Sequence, residues 1–155
     1  MPHGYDEIVA YYGDPTHDPD GWWRENVVYR PLPFVMRVAW RPATPQTGVW
    51  IHHKVADSFL DALIEIRDTH GEHYLHEMHY DYYGGLHNHR LNSNDRSKWS
   101  MHAFAAAFDY NPHIATYEPG GRQPEFIVAA FERRGWVWVY VNGVPRMHVQ
   151  AAAGY

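Results

Sequence analysis

The chain has 155 residues, of which 45% are hydrophobic, so we expect one domain spanning residues 1–155 with a sizeable core. The formal net charge of -5 and the lack of a Lys/Arg block argue against a nucleic-acid groove, which needs a basic stripe to meet phosphates. Because the chain has no cysteine, a disulfide framework is excluded and any zinc must take histidine and carboxylate ligands. We also expect no signal peptide and no membrane contact, since neither a secretory leader pattern nor a membrane-length apolar run occurs.

The first third of the sequence predicts one helix, two loops and one strand-like run. Residues 5–13, YDEIVAYYG, carry apolar side chains at helical spacing and end on glycine, which favours a short helix. Prolines then predict a loop over residues 15–19. Residues 26–40 are strand-like but are interrupted by two prolines, which cannot donate to a ladder and so suit an edge strand or a bend. Residues 41–48, RPATPQTG, predict a second loop.

The remaining elements are two helices and a hairpin. Residues 55–71 place apolar side chains on one helical face before a terminal glycine. Residues 124–135 show a second helical stripe, with a proline suited to the first turn. Residues 136–150 contain two β-rich runs around Asn142-Gly143, which is the strongest short hairpin signal. Helices mixed with hairpin-linked strands predict an α+β domain, in which a small antiparallel sheet has flanking helices.

His102 and Asp109 bracket a segment of small and aromatic residues. As ligands of one zinc ion, their donor atoms must come within ~3 to 4 Å of each other. Seven residues of helix would separate them by about 10 Å and seven residues of strand by about 23 Å, so the chain must fold back. The three alanines at 105–107 are small enough for a tight reversal, and Asn111-Pro112 terminates the segment. The alternative is two unrelated side chains in an alanine-rich segment.

Three separated motifs carry a family resemblance. The segment 100–109, SMHAFAAAFD, resembles the S-x-H-x-x-G-x-A-x-D signature of the zinc peptidases that include D-Ala-D-Ala carboxypeptidases and phage L-Ala-D-Glu endopeptidases. Upstream, YYGGLHNHRL is similar to the family segment that ends in an arginine, here Arg90. Downstream, MHVQAA resembles the portion that supplies the third ligand, here His148. The order of elements fits the phage-type members over nearly the whole chain.

The resemblance implies a zinc DD-peptidase (Hedgehog-like) fold and a role for each matching residue. His102, Asp109 and His148 would hold zinc in an open site, where the metal polarises a scissile carbonyl and acidifies water. Arg90 would stabilise the developing oxyanion or bind the substrate carboxylate. Ser100 would orient the site from behind the ligands.

The sequence departs from the family pattern at three places. The family has a general-base Glu or Asp three residues before the last histidine, where this chain has Pro145, and losing such a base typically costs ~10²- to 10⁴-fold in rate. Glu118 or Glu125 is the candidate substitute. The family's Gly-Gly pair after the tryptophan is replaced by WVWVYVNGV, which favours a regular hairpin. Ala105 stands where the family has glycine, which is tolerable unless the backbone there needs a positive φ.

These motifs leave three functional hypotheses. The leading one is a zinc peptidase of the phage endolysin type that hydrolyses amide bonds of peptidoglycan stem peptides. The second is a catalytically inactive descendant that binds a cell-wall peptide, and the third is a structural component of a virion, in contact with other virion proteins. For a phage product without a signal peptide, we expect action from the host cytoplasm after holin-dependent release, or within the virion.

Other histidines form weaker patterns. His76 to Tyr80, HEMHY, fails the H-E-x-x-H motif because tyrosine stands where the second histidine must lie one helical turn on. His73, His76 and His79 recur every three residues, and His87 and His89 share a strand-like spacing. We interpret both sets as surface or core side chains.

Overall fold

Five helices and six strands follow one another in the computed structural model, which describes residues 1–155. No helix combines the length and the apolar character needed to cross a membrane. In chain order the elements are α1 Tyr5–Tyr12, α2 Pro19–Asn26, β1 Val27–Val38, β2 Arg41–His52, α3 Ala56–His70, α4 Glu72–Glu77, β3 Tyr82–Tyr83, β4 Ala107–Asp109, α5 Glu125–Glu132, β5 Val137–Val141 and β6 Val144–Gln150.

The strands form two three-stranded sheets, with orders β2-β1-β3 and β4-β6-β5. All neighbouring strands are antiparallel except the short β1–β3 pair, which is parallel. The α+β class with antiparallel-rich sheets and flanking helices is therefore confirmed, although the strands divide into two sheets where we expected one. This arrangement is compatible with the implied zinc DD-peptidase fold, and its Hedgehog-like detail stays a prediction.

Helix α3 lies at the centre of the hydrophobic core. Its buried face carries Phe59, Leu63 and Ile66, as the helical spacing predicted. The Phe59 ring lies 5.2 Å from that of Phe108 on β4 and 5.9 Å from that of Phe131 on α5. The Phe59 side chain thus joins α3 both to α5 and to β4, the strand that carries Asp109. Such aromatic contacts bury large areas and fix the relative positions of the elements they join.

Two predictions for the first third of the chain are wrong in part. Residues 41–48 belong to strand β2 instead of a loop. Because β2 is an edge strand of its sheet, Pro42 and Pro45 are tolerated there although proline has no N–H to donate to a neighbouring strand. Strand β1 is central instead of an edge, but its pairing register shifts between Pro31 and Met36, so the predicted bend is present.

Two short helices were not predicted. Helix α2 begins at Pro19, where we expected a loop, because the Asp18 side chain caps it by accepting from the backbone N–H of Gly21. Helix α4, Glu72–Glu77, has only Leu75 buried, so it lacks the apolar stripe that sequence analysis requires. By contrast, α1, α3 and α5 are confirmed at their predicted places.

The predicted C-terminal hairpin is confirmed. Strands β5 and β6 pair antiparallel around Asn142 and Gly143, whose φ angles are 52° and 74°. Positive φ at both central residues is the geometry of the turn that Asn-Gly favours, since its twist matches that of the flanking strands. β6 is then the middle strand of the sheet, with β4 on its other side. His148, on β6, is thereby placed opposite β4.

Candidate metal centre

Strand pairing and one tight turn bring three predicted ligands together. Asp109 on β4 and His148 on β6 are direct partners across an antiparallel pair, so their side chains stand side by side. His102 lies in the turn before β4, and its carbonyl accepts from the N–H of Ala105 at 3.1 Å. Ala105 has a φ of +50°, and this residue reverses the chain. The reversal that we predicted between His102 and Asp109 is therefore present.

The three ligand atoms form a nearly equilateral triangle. His102 Nε2 lies 3.2 Å from His148 Nδ1 and 3.3 Å from Asp109 Oδ1. His148 Nδ1 lies 3.0 Å from the same Asp109 oxygen. Tetrahedral zinc with bonds of about 2.0–2.1 Å separates its ligand atoms by about 3.3 Å. The triangle therefore has the size of one face of a zinc tetrahedron, and no other group of three such side chains converges in this way.

The outer nitrogen of each histidine is held by an oxygen that accepts a hydrogen bond. His102 Nδ1 lies 2.7 Å from the carbonyl oxygen of Leu86. His148 Nε2 lies 3.0 Å from Oε1 of Gln150, whose amide nitrogen in turn donates to the carbonyl of Ala152. Because these oxygens accept, the outer nitrogens carry the hydrogens, and the lone pairs face inward. This is the arrangement by which metal-binding histidines are oriented in proteins.

The centre is arranged to attract a cation. Burial by itself raises the pKa of the Asp109 carboxyl, but a hydrogen bond from a proton on the inward nitrogen of His102 or His148 outweighs burial and holds that pKa below its usual range. The carboxylate is therefore ionised at neutral pH. Two inward nitrogen lone pairs and one anionic oxygen then meet within hydrogen-bond distance. A proton can satisfy only one of these pairs, whereas a metal ion satisfies all three.

Asp109 and His148 line a cleft of about 540 Å³, whereas His102 is buried. Arg90 lines this cleft and forms no ion pair with any carboxylate. Ser100 is buried beside it, and its hydroxyl accepts from the His102 N–H at 3.3 Å, which suits the orienting role that we predicted. The lining residues are Arg90, Asn92, Ser93, Asn94, Ser100, Met101, Asp109, Tyr117, Val139, Val141, His148, Gln150 and Tyr155.

No substitute general base lies in the cleft. Asp109 is the only Asp or Glu that lines it. Pro145 pairs with Tyr140 within the hairpin, and Glu125 lies beside Pro145 in a separate depression. Glu118 is exposed outside the cleft. The structure therefore gives neither Glu118 nor Glu125 a place in the cleft that Asp109 and His148 line.

Sequence reasoning missed Gln150 and Tyr117. Gln150 follows His148 by two positions on one strand, so strand periodicity places both side chains on the same face, and this signal could have revealed it. Tyr117 lies in the segment between β4 and α5, where no periodic pattern indicates the direction of a side chain.

Comparison with known proteins agrees with the geometry. Residues 93–150 match the sequence profile of a family described as D-alanyl-D-alanine carboxypeptidase. This segment contains Ser100 and the three ligand candidates but covers less than half of the chain. No curated protein and no solved structure matches the chain. The match supports a relationship to the zinc peptidases of that description, and the phage endolysin assignment stays a prediction.

Proposed function

We propose that the chain is a zinc metallopeptidase that hydrolyses an amide bond of a peptidoglycan stem peptide. The observation that carries this proposal is the inward convergence of three lone-pair donors, from His102, Asp109 and His148, of which Asp109 and His148 line an open cleft. The profile match over residues 93–150 supports the substrate class. When bound, zinc supplies Lewis-acid chemistry, which polarises a carbonyl and lowers the pKa of water.

The protein side chains bind and orient the peptide. Arg90 is the only cationic side chain that lines the cleft, and it has no carboxylate partner, so it is free to pair with an anionic group. That group is the terminal carboxylate of a stem peptide or the oxyanion that develops during hydrolysis. Val139 and Val141 add an apolar wall suited to small side chains such as those of alanine. Leu86 and Gln150 keep both histidines in the tautomer that binds metal.

The absence of a second carboxylate in the cleft favours slow turnover or none. A general base contributes typically 10²- to 10⁴-fold, so hydrolysis is expected to fall short of an intact site by about that factor. The same observation favours the second candidate, a catalytically inactive descendant of a zinc peptidase that binds zinc and the stem peptide but does not cut it. We further propose that the protein is a phage product. It would act from the host cytoplasm after holin-dependent release, or within the virion.

The first experiment measures zinc content and stem-peptide cleavage on one preparation. We expect one zinc per chain and slow metal-dependent cleavage, both of which are lost in His102→Ala. His73→Ala is the matched control, because His73 is exposed on α4 and lies outside the cleft. Stoichiometric zinc with peptide binding but no cleavage would select the inactive descendant. A chain that binds neither zinc nor peptide would overturn both candidates.

A further inference from the structure

A buried arginine holds the segment that carries Tyr117, one of the residues that line the cleft. Arg146 on β6 is only 5% exposed, and its Nη1 donates to the carbonyls of Thr116 at 3.0 Å, Glu118 at 3.2 Å and Gly121. No carboxylate pairs with it, and its Nε has no hydrogen-bond partner. A buried charge of this kind is costly unless it is hydrogen-bonded. All the hydrogen bonds of the Arg146 side chain go to carbonyls of residues 116–121. The guanidinium therefore holds this segment in place.

The segment is folded tightly around that guanidinium. A side chain at Gly121 would place its Cβ 2.1 Å from the carbonyl oxygen of Thr116 and 2.9 Å from Nη1 of Arg146. Both distances lie below ordinary van der Waals contact, so only glycine fits. The Arg122 N–H also donates to the Ile114 carbonyl at 2.9 Å, which closes the segment behind Gly121. The backbone on either side of residue 117 is therefore fixed.

Tyr117 is the side chain that this fixed segment presents to the cleft. It lines the same cleft as Arg90, Asp109 and His148, and 49% of the residue is exposed. Its hydroxyl makes no hydrogen bond within the protein, whereas the hydroxyl of Tyr155, the other tyrosine of the cleft, donates to the carbonyl of Trp99. A phenol ordinarily loses its hydrogen only at about pH 10, so the Tyr117 hydroxyl remains a donor at neutral pH. Tyr117 thus offers a free hydrogen-bond donor to the cleft that Asp109 and His148 also line.

We propose that the Tyr117 hydroxyl donates a hydrogen bond to the carbonyl oxygen of the peptide bound in the cleft, and that Arg146 is the residue that positions Tyr117. This inference rests on the proposed function, because it assumes a peptide bound beside the metal ligands. A hydrogen bond from a donor on a segment that is already in place becomes stronger as charge develops on the oxygen, and the backbone needs no reorganisation at that moment. The phenol keeps its proton in this role, so Tyr117 does not replace the missing base.

The test measures binding of an unreactive phosphinate analogue of D-Ala-D-Ala to the zinc-loaded full chain. The anionic oxygens on its tetrahedral phosphorus mimic the developing oxyanion. The affinity for this analogue therefore measures the hydrogen bond from Tyr117 even if turnover is too slow to follow. We expect Tyr117→Phe to weaken binding by roughly tenfold to a hundredfold, which is the effect of losing a hydrogen bond to a charged group. Zinc content should stay unchanged. Tyr140→Phe is the matched control, because Tyr140 is equally exposed, at 47%, but lies outside the cleft.

The outcomes separate this inference from the proposed function. Binding that is weakened by the expected factor in Tyr117→Phe and unchanged in Tyr140→Phe supports the donor. Equal affinity of wild type and Tyr117→Phe overturns the donor but leaves the peptidase proposal intact. A wild-type zinc-loaded chain that binds neither the analogue nor a stem peptide overturns both.

A double-mutant cycle tests the positioning role. If Arg146 acts through Tyr117, then Arg146→Met should weaken analogue binding in the wild type but add little in the Tyr117→Phe background. Additive losses would overturn the positioning role. If Arg146→Met does not fold, Arg146→Lys takes its place in the cycle, since lysine keeps the charge and can donate to some of the same carbonyls.

Discussion

At the scale of single residues, Gln150 determines which nitrogen of His148 faces the metal site. Its Oε1 accepts from the outer nitrogen of His148 at 3.0 Å, and its own amide is held by the Ala152 carbonyl. Gln150→Leu keeps the bulk of the side chain but removes the acceptor, so His148 can turn or change tautomer. We expect zinc affinity to fall by roughly 10- to 100-fold in a chelator competition assay.

The control for this variant is Gln46→Leu. Gln46 lies on strand β2, and its amide donates to the carbonyl of Gly48, far along the chain from the ligands. Its zinc affinity should equal that of the wild type. An unchanged affinity in Gln150→Leu would show that the ring of His148 is held without this hydrogen bond.

At the scale of elements, the turn before β4 depends on one residue in an unfavourable backbone region. Ala105 has a φ of +50°, and its side chain is fully buried. A left-handed conformation costs a residue with a Cβ roughly 1–2 kcal/mol. The family resemblance placed glycine at this position, and we expected alanine to be tolerated only if φ were negative. Because φ is positive, alanine is strained here. The surrounding hydrogen bonds, including the one from His52 N–H to the Ala105 carbonyl at 3.0 Å, hold the turn despite this cost.

We predict that Ala105→Gly is nearly neutral whereas Ala106→Gly is destabilising. Both alanines are fully buried, so each glycine loses one buried methyl group and adds chain entropy to the unfolded state. Only at Ala105 does the relief of the left-handed strain offset these losses. Urea unfolding should give a free energy within about 0.5 kcal/mol of wild type for Ala105→Gly and a loss of about 1–2 kcal/mol for Ala106→Gly. Equal losses would contradict strain at Ala105.

At the scale of the whole molecule, His52 connects the N-terminal helix to β2 and depends on staying neutral. Its Nε2 lies 3.2 Å from the Tyr12 carbonyl, and its Nδ1 accepts from the Lys54 N–H at 3.2 Å. The residue is fully buried, and burial lowers its pKa from 6.5 to about 4. Protonation of Nδ1 would also remove the acceptor for Lys54.

This pKa shift predicts how stability depends on pH. The folded pKa lies below the unfolded one, so the unfolded chain takes up the proton first as pH falls below about 6.5. The stability associated with neutral His52 is complete above that pH and is progressively lost down to about pH 4. At pH 4.5 the loss should reach roughly 2–3 kcal/mol. Urea unfolding with a chelator, at pH 7.5 and 4.5, measures it.

His52→Gln removes the titrating group and keeps a side chain that can donate to Tyr12. The variant should be less stable than wild type at pH 7.5, but its stability should fall less between pH 7.5 and 4.5. A chelator in every sample prevents metal binding from adding its own pH dependence. Parallel pH profiles for wild type and variant would show that His52 is not the group responsible.

Prediction from sequence succeeded where neighbours along the chain decide the structure. The stripe of α3 and the Asn142-Gly143 turn follow from contacts a few residues apart, and both are confirmed. It failed for residues 41–48, because pairing with β1 turns a proline-rich segment into an edge strand. It missed α2 because Pro19, which predicted a loop, stands at the first helical position directly after the Asp18 cap, where proline is favoured.

For the candidate site, the sequence by itself determined the ligand types and the need for a chain reversal between His102 and Asp109, since bond lengths leave no alternative for a shared metal. Only the tertiary structure decided that Leu86 and Gln150 turn both lone pairs inward, that the cleft holds no second carboxylate, and that Tyr117 lines it. The physical reason is that a local pattern encodes preferences between near neighbours. The direction of a side chain in a loop is set by hydrogen bonds between residues far apart in the chain.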